Sequence, residues 1–224
     1  PTHPKNRHGY RSVRGNQRTE TPDHNNTSLF IMKLPPNCTV AQLLRNIRGC
    51  GKIYSASITR PTVQHVTAAA KLIFFDTHAA NKLYNLSISR QWKVGGYLPV
   101  VAWNRVPVGF TRSKDESRVI GIYGPKSVVT QDYFELKVFS TFYYKLAEVI
   151  IHYEDDDFRV MEFQFGSYSK QAEFAMQRIR SFGETPSLPE KERALWRKVE
   201  AKYLPDPCAR PATISSGEAG PSNS

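Results

Sequence analysis

The apolar pattern of this chain changes period in the same order twice, and that repetition restricts the folds open to it. In the first half, residues 28–34 form a short apolar run closed by Pro35-Pro36. Thr39 can then cap a helix whose Val40, Leu43, Leu44 and Ile47 recur at helical spacing, with Gly49 and Gly51 ending it. Residues 52–59 and 66–75 read as strands, the second with Ala68, Ala70, Leu72 and Phe74 on one side. A helix over 77–84 carries Ala79, Ala80 and Leu83, and 95–105 closes the half as a strand.

The second half repeats this order. Residues 118–123 read as a strand ended by Gly124-Pro125, and Thr130 caps a strongly aromatic helix reaching to 142. Strands at 146–153 and 158–165 flank an acidic turn. In the latter, Met161, Phe163 and Phe165 alternate with Glu162 and Gln164, the pattern of a half-buried strand. A helix over 170–182 follows. Ser187, Pro189 and Glu190 then open a short helix, and a strand runs from about Arg197, where Val199, Ala201 and Tyr203 alternate with charges.

Two βαββαβ units specify an α+β chain of two ferredoxin-like sandwiches in tandem, at 28–110 and 111–208. Two helices cover one face of each sheet and leave the other open. The flanks, 1–27 and 209–224, have almost no large aliphatics and read as a disordered basic arm and a disordered tail.

The net charge of +11 is unevenly shared. The arm carries five basic and two acidic residues, and the first unit ten basic against the single acid Asp76. The second unit carries fifteen basic and sixteen acidic residues. Positive charge concentrated in this way favours an anionic partner for the first unit. No run of 18 apolar residues suggests a membrane span, and the N-terminus offers no apolar signal segment. Cys38, Cys50 and Cys208 are too few and too far apart for a disulfide framework or a zinc motif, and read as reduced thiols of an intracellular protein. The spacing of Gly121, Gly124 and Lys126 makes no phosphate loop, no Gly-x-Ser-x-Gly occurs, and the histidines are not paired at metal spacing. A binding protein without cofactor or metal is expected, not an enzyme. The acids at 154–157 read as a solvated turn, with a divalent-ion site or a dock for a basic segment as alternatives.

The first unit resembles an RNA recognition motif. Leu29-Phe30-Ile31-Met32-Lys33-Leu34-Pro35 is similar to the family's first-strand hexamer, with Lys33 in place of Asn. Aligning Phe74 to the last aromatic of the third-strand octamer puts Ala69 and Lys71 where the family has exposed rings. The second unit resembles the family in element order only: Gly121, Val160 and Glu162 fall at the ring positions. The segments at 165–168 (Phe-Gly-Ser-Tyr) and 206–208 (Asp-Pro-Cys) are also similar to a fungal family of such proteins.

The resemblance implies that Phe30 stacks on a base, unless the linker or the other unit covers it. Lys33, Lys52, Arg60 and Lys71 are the expected phosphate contacts, with Tyr97 and the strand-exit pair Asn104-Arg105 beside them. Trp103 is either core or a second platform. Tyr133, Phe139 and Phe142 on the aromatic helix either pack against the first unit or meet a protein partner. The expected function is weak, low-specificity binding of single-stranded RNA by the first unit, in a nuclear or cytoplasmic protein with the nucleus favoured. The alternative is a protein-interaction module that no longer binds RNA.

Overall fold

In a computed structural model, residues 25–109 and 115–210 are described. The expectations for the arm before 25 and for the tail beyond 210 lie outside them. The first sheet is built from β1 (Ser28–Leu34), β2 (Ile53–Thr59), β3 (Ala68–Phe74) and β4 (Val100–Trp103), in the order β2-β3-β1-β4. The second comprises β5 (Val119–Pro125), β6 (Leu146–Glu154), β7 (Phe158–Phe165) and β8 (Glu200–Tyr203), in the order β6-β7-β5-β8. The two orders are equivalent, and every pairing is antiparallel. With helices between the strands, each unit is a ferredoxin-like α+β sandwich.

The first core is closed by α1 (Val40–Arg45) and α2 (Thr77–Ile88), capped by the Thr39 and Asp76 side chains. Leu29, Ile31, Ala70 and Leu72 face these helices and are fully buried. The second core lies beneath α3 (Gln131–Tyr133), α4 (Glu173–Phe182) and α5 (Glu190–Trp196). A π-helical turn at Phe134–Val138 extends α3, and another wide turn, Tyr168–Ala172, leads into α4. A short helix precedes β8 as expected, but Arg197 ends the helix and the strand begins only at Glu200.

Several local expectations are corrected. The aromatic helix ends at Val138, leaving Phe142 and Tyr144 in the following loop. The last strand of the first unit is only Val100–Trp103, so Tyr97 sits outside it, in an isolated bridge with Val94. The strand Phe158–Phe165 is not half-buried towards its end. Glu162 and Gln164 are 3% and 5% exposed, as enclosed as the apolar residues they alternate with.

The two sandwiches are joined through the segments that the sequence singles out without giving them a task. The Ser167 hydroxyl accepts the Ala56 amide of edge strand β2 at 2.9 Å and donates to the Ala56 carbonyl at 3.2 Å. Asp206 is 1% exposed; its Oδ2 accepts the Ile53 amide at 2.9 Å and Arg118 Nε at 3.1 Å. Its Oδ1 accepts the Cys208 amide at 2.9 Å and lies 2.9 Å from Arg118 Nη2. The Cys208 carbonyl takes the Gly51 amide, and its thiol packs into the first core and donates to Leu44 O. Tyr168 completes the joint against Tyr54 and Phe75, with ring centroids 5.9 and 5.4 Å away.

Candidate nucleic-acid interface

The face of the first sheet turned away from its helices is defined by strand pairing. Phe30 on β1 stands opposite Lys71 on β3 and Ala102 on β4, and Lys71 stands opposite Ser57 on β2. Directly opposed residues on one face are within side-chain reach, so Phe30, Lys71 and Ser57 form a row across the sheet. Met32 and Val100 form the neighbouring row, and Thr59 on the edge strand β2 faces Ala69 on β3. Phe30 is 38% exposed, and neither the linker residues described nor the second unit encloses it. The irregular pairing between Ile31 and Leu34, with Lys33 at φ +60°, swings the exposed Lys33 out at the end of this strand. None of the four strands contains an acidic residue.

The other expected contact residues divide. Arg60 is exposed just beyond β2, and Arg105 is exposed beyond β4. Tyr97 is 41% exposed but stands off the sheet. Asn104 directly follows β4: its Oδ1 accepts the Val106 amide and its backbone carbonyl accepts Asn26 Nδ2. Lys52 belongs to the joint between the units, with Nζ 4.6 Å from the centre of the Phe75 ring. Burial pushes its pKa below the ordinary lysine value, against the opposing pull of Asp206, Glu116, Asp115 and Asp76. Trp103 is turned to the helix side, where it packs on Tyr84 with centroids 5.4 Å apart.

The far end of this face is closed. Ile73 and Phe75 are 9% and 3% exposed, and Phe75 is part of the second unit's apolar cluster. Both edges of the sheet are also stopped by serine hydroxyls. Ser167 does this at β2, while Ser87 Oγ donates to Pro99 O and accepts the Val101 amide at β4. A serine at each edge satisfies outward-facing backbone groups that would otherwise invite a further strand.

The second sheet presents a different surface on the equivalent face. It carries Glu148, Glu162 and Glu200, with Lys202 opposite Gly121. A Cβ on Gly121 would lie 2.8 Å from Leu204 Cδ1, so Leu204 fills the space over Gly121 where a side chain on β5 would stand. Glu162, at a third-strand ring position, accepts from Gln164 Nε2 and pairs with His152 Nε2, both at 2.8 Å. Helix α1 of the first unit packs at the β6 end of the sheet, where Leu44, Arg45 and Arg48 line a narrow cleft with Glu148 and Gln164. These coverings explain why Glu162 and Gln164 are buried despite their alternation. Beyond them, Tyr123 stacks on Phe158 at 5.3 Å and 7°, beside the acidic turn. Within that turn, Asp155 Oδ1 accepts the Asp157 and Phe158 amides and Oδ2 accepts the Tyr153 hydroxyl.

The rings expected either to pack on the first unit or to meet a protein partner pack within their own unit. Phe139 is fully buried, and Phe142 packs on it, on Tyr144 and on Phe174. Tyr133 stacks on Trp196 at 5.9 Å and donates to Glu192 at 2.8 Å. Tyr133 and Phe142 thus meet α5 and α4 of their own unit, and Phe139 lies against Phe163 and Phe165 of β7. They also span more than one helix face because the second core has a third helix to cover.

All three cysteines are free and buried. No group of His, Cys, Asp or Glu among the described residues could hold a metal ion, and none of their helices is long and apolar enough to cross a membrane.

Comparison with known proteins returns no matching family model and no matching curated protein. Among solved structures, the chain is similar to the first two RRM domains of the yeast poly(U) binding protein, at 16% identity and TM-score 0.30, covering 78% of this chain and 97% of that one. It is similar to RNA recognition domains 1 and 2 of Sex-lethal from Drosophila melanogaster, at 14% identity and TM-score 0.29, covering 80% and 100%. The strand order and connectivity, not these likenesses, assign the fold.

Proposed function

We propose that the chain binds single-stranded RNA through the open face of the first sheet and uses the second unit as a brace. The row Phe30–Lys71–Ser57, on a sheet whose strands carry no acid, is the observation that supports this reading. Phe30 offers a ring to one base. Lys71 and Lys33 offer cations to phosphate, and Ser57 and Thr59 offer hydroxyls. With Ala69 and Lys71 at the other two ring positions, the face stacks one base only. Its affinity therefore rests on charge more than on base identity, and binding is weak, sequence-tolerant and salt-sensitive.

Titration of the full chain with short single-stranded RNAs over a range of salt concentrations tests this. Phe30→Ala should weaken binding at every salt concentration, and Lys71→Glu should also flatten the salt dependence. RNA binding unaffected by either substitution contradicts the proposal. The alternative, a protein-interaction module, draws its support from the exposed Tyr123–Phe158 stack on the second sheet.

A further inference from the structure

The bound strand has to leave the first face somewhere. Its far end is closed by the second unit at Ile73 and Phe75. The row from Phe30 through Lys71 to Ser57 leads instead to β2, which continues through Thr59 to the exposed Arg60. Cross-strand neighbours lie about 5 Å apart and residues along a strand about 3.3 Å, so Phe30 and Arg60 are separated by roughly 14 Å, a short stretch of polynucleotide.

Arg60 stands at the mouth of a groove of about 370 Å³ between the two units. Ile58 and Cys38 line its first-unit side, and Leu146 and Lys145 its second-unit side. Among the lining residues Arg60 and Lys145 are the charged ones, both are cations, and neither is in an ion pair among the described residues. This separates the groove from the other basic recess, beside α4 and α5. There Arg193 is spent on the Gly183, Thr185 and Leu188 carbonyls, Arg197 is paired with Glu190, and Arg180 shares the wall with the acid Glu184. It also separates it from the cleft under α1, where Arg45 faces Glu148 at 3.9 Å.

We infer that the single strand runs from Phe30 across β2 into this groove, where Arg60 and Lys145 hold its phosphate backbone. The inference rests on the RNA-binding reading of the first sheet. It gives the otherwise neutral second unit one direct contact, Lys145, on the helix side of the β2 edge and away from its own acidic sheet. An apolar floor with cations at the rim suits a sugar-phosphate backbone passing over it, since the cations meet phosphates without an acid to repel them.

The test uses the full chain and two RNAs, of about four and about ten nucleotides, a range spanning single-strand site sizes. One lost phosphate contact should lower the salt slope by about 0.7 and the affinity about fivefold at 0.1 M salt. Lys145→Ala should show both losses with the longer RNA and neither with the shorter. Arg60→Ala together with Lys145→Ala should about double the change in slope. Lys191→Ala, an exposed cation on α5, should change nothing. Unaltered binding of the longer RNA by Lys145→Ala, with Phe30→Ala still impaired, overturns the groove path and leaves the sheet reading intact. Equal losses with both RNAs also overturn it. Loss of all effects, Phe30→Ala included, removes the sheet reading and the path with it.

Discussion

The Ser167 hydroxyl satisfies both backbone groups of Ala56, accepting its amide at 2.9 Å and donating to its carbonyl at 3.2 Å, across 111 residues of sequence. One side chain of the second unit thus does for edge strand β2 what a neighbouring strand would do. Ser167→Ala leaves two buried groups unpaired and should cost about 1–3 kcal/mol, measured as a lower urea midpoint with unchanged m.

The Arg118–Asp206 pair is the polar centre of the joint, with both side chains within 2% of full burial. Removing one partner leaves a buried charge uncompensated. Asp206→Ala should therefore destabilise the chain by about 3–5 kcal/mol in urea unfolding, far more than loss of a surface pair such as Arg45–Glu148.

The same joint controls thiol chemistry. Burial raises the Cys208 thiol to about 12 and the Cys50 thiol to about 11. Their thiolate fractions at pH 8 are therefore negligible. Cys50 and Cys208 of the native chain should resist a disulfide reagent at that pH, whereas the unfolded chain should release three equivalents. Asp206→Ala should make Cys208 the first to react, checked by peptide mapping.

Gly121 and Leu204 explain why the second sheet has no first-strand ring. A larger residue at 121 must displace Leu204, so Gly121→Phe should cost about 1–3 kcal/mol. Adding Leu204→Ala should recover part of this, measured by a double-mutant cycle in denaturant.

On the second unit's surface, Glu192 is held below its ordinary pKa by hydrogen bonds from Lys137 and Tyr133. A carboxyl whose folded pKa is depressed contributes stability at pH above its unfolded value, and loses it as pH falls through the folded one. Glu192→Gln should therefore lower stability near neutrality and reduce the further loss on acidification below about pH 4.5, seen in thermal unfolding from pH 7 to 3.

The element order was legible because it depends on local periodicity and caps: Thr39, Thr130 and the β7 alternation lie beside the elements they specify. Phe30 was legible because its neighbours Leu29 and Ile31 fix the face it takes. The burial of Glu162 and Gln164 was not, since α1 and Leu204 cover them from distant sequence, and alternation alone gives polar residues to solvent. Lys52 was misplaced for the same reason: its position depends on Phe75 lying under Tyr168. The Phe-Gly-Ser-Tyr and Asp-Pro-Cys segments stood out in sequence, yet their partners Ala56 and Ile53 are 111 and 153 residues away.

The division of labour between the two sheets is the central claim, and one comparison tests it directly. Phe30→Ala and Tyr123→Ala each remove an exposed ring, one from each face. In RNA titrations of the full chain at fixed salt, Phe30→Ala should raise Kd by about 10- to 100-fold, the worth of one stacked base, and Tyr123→Ala should leave it unchanged. Loss of binding with Tyr123→Ala and none with Phe30→Ala would contradict the account.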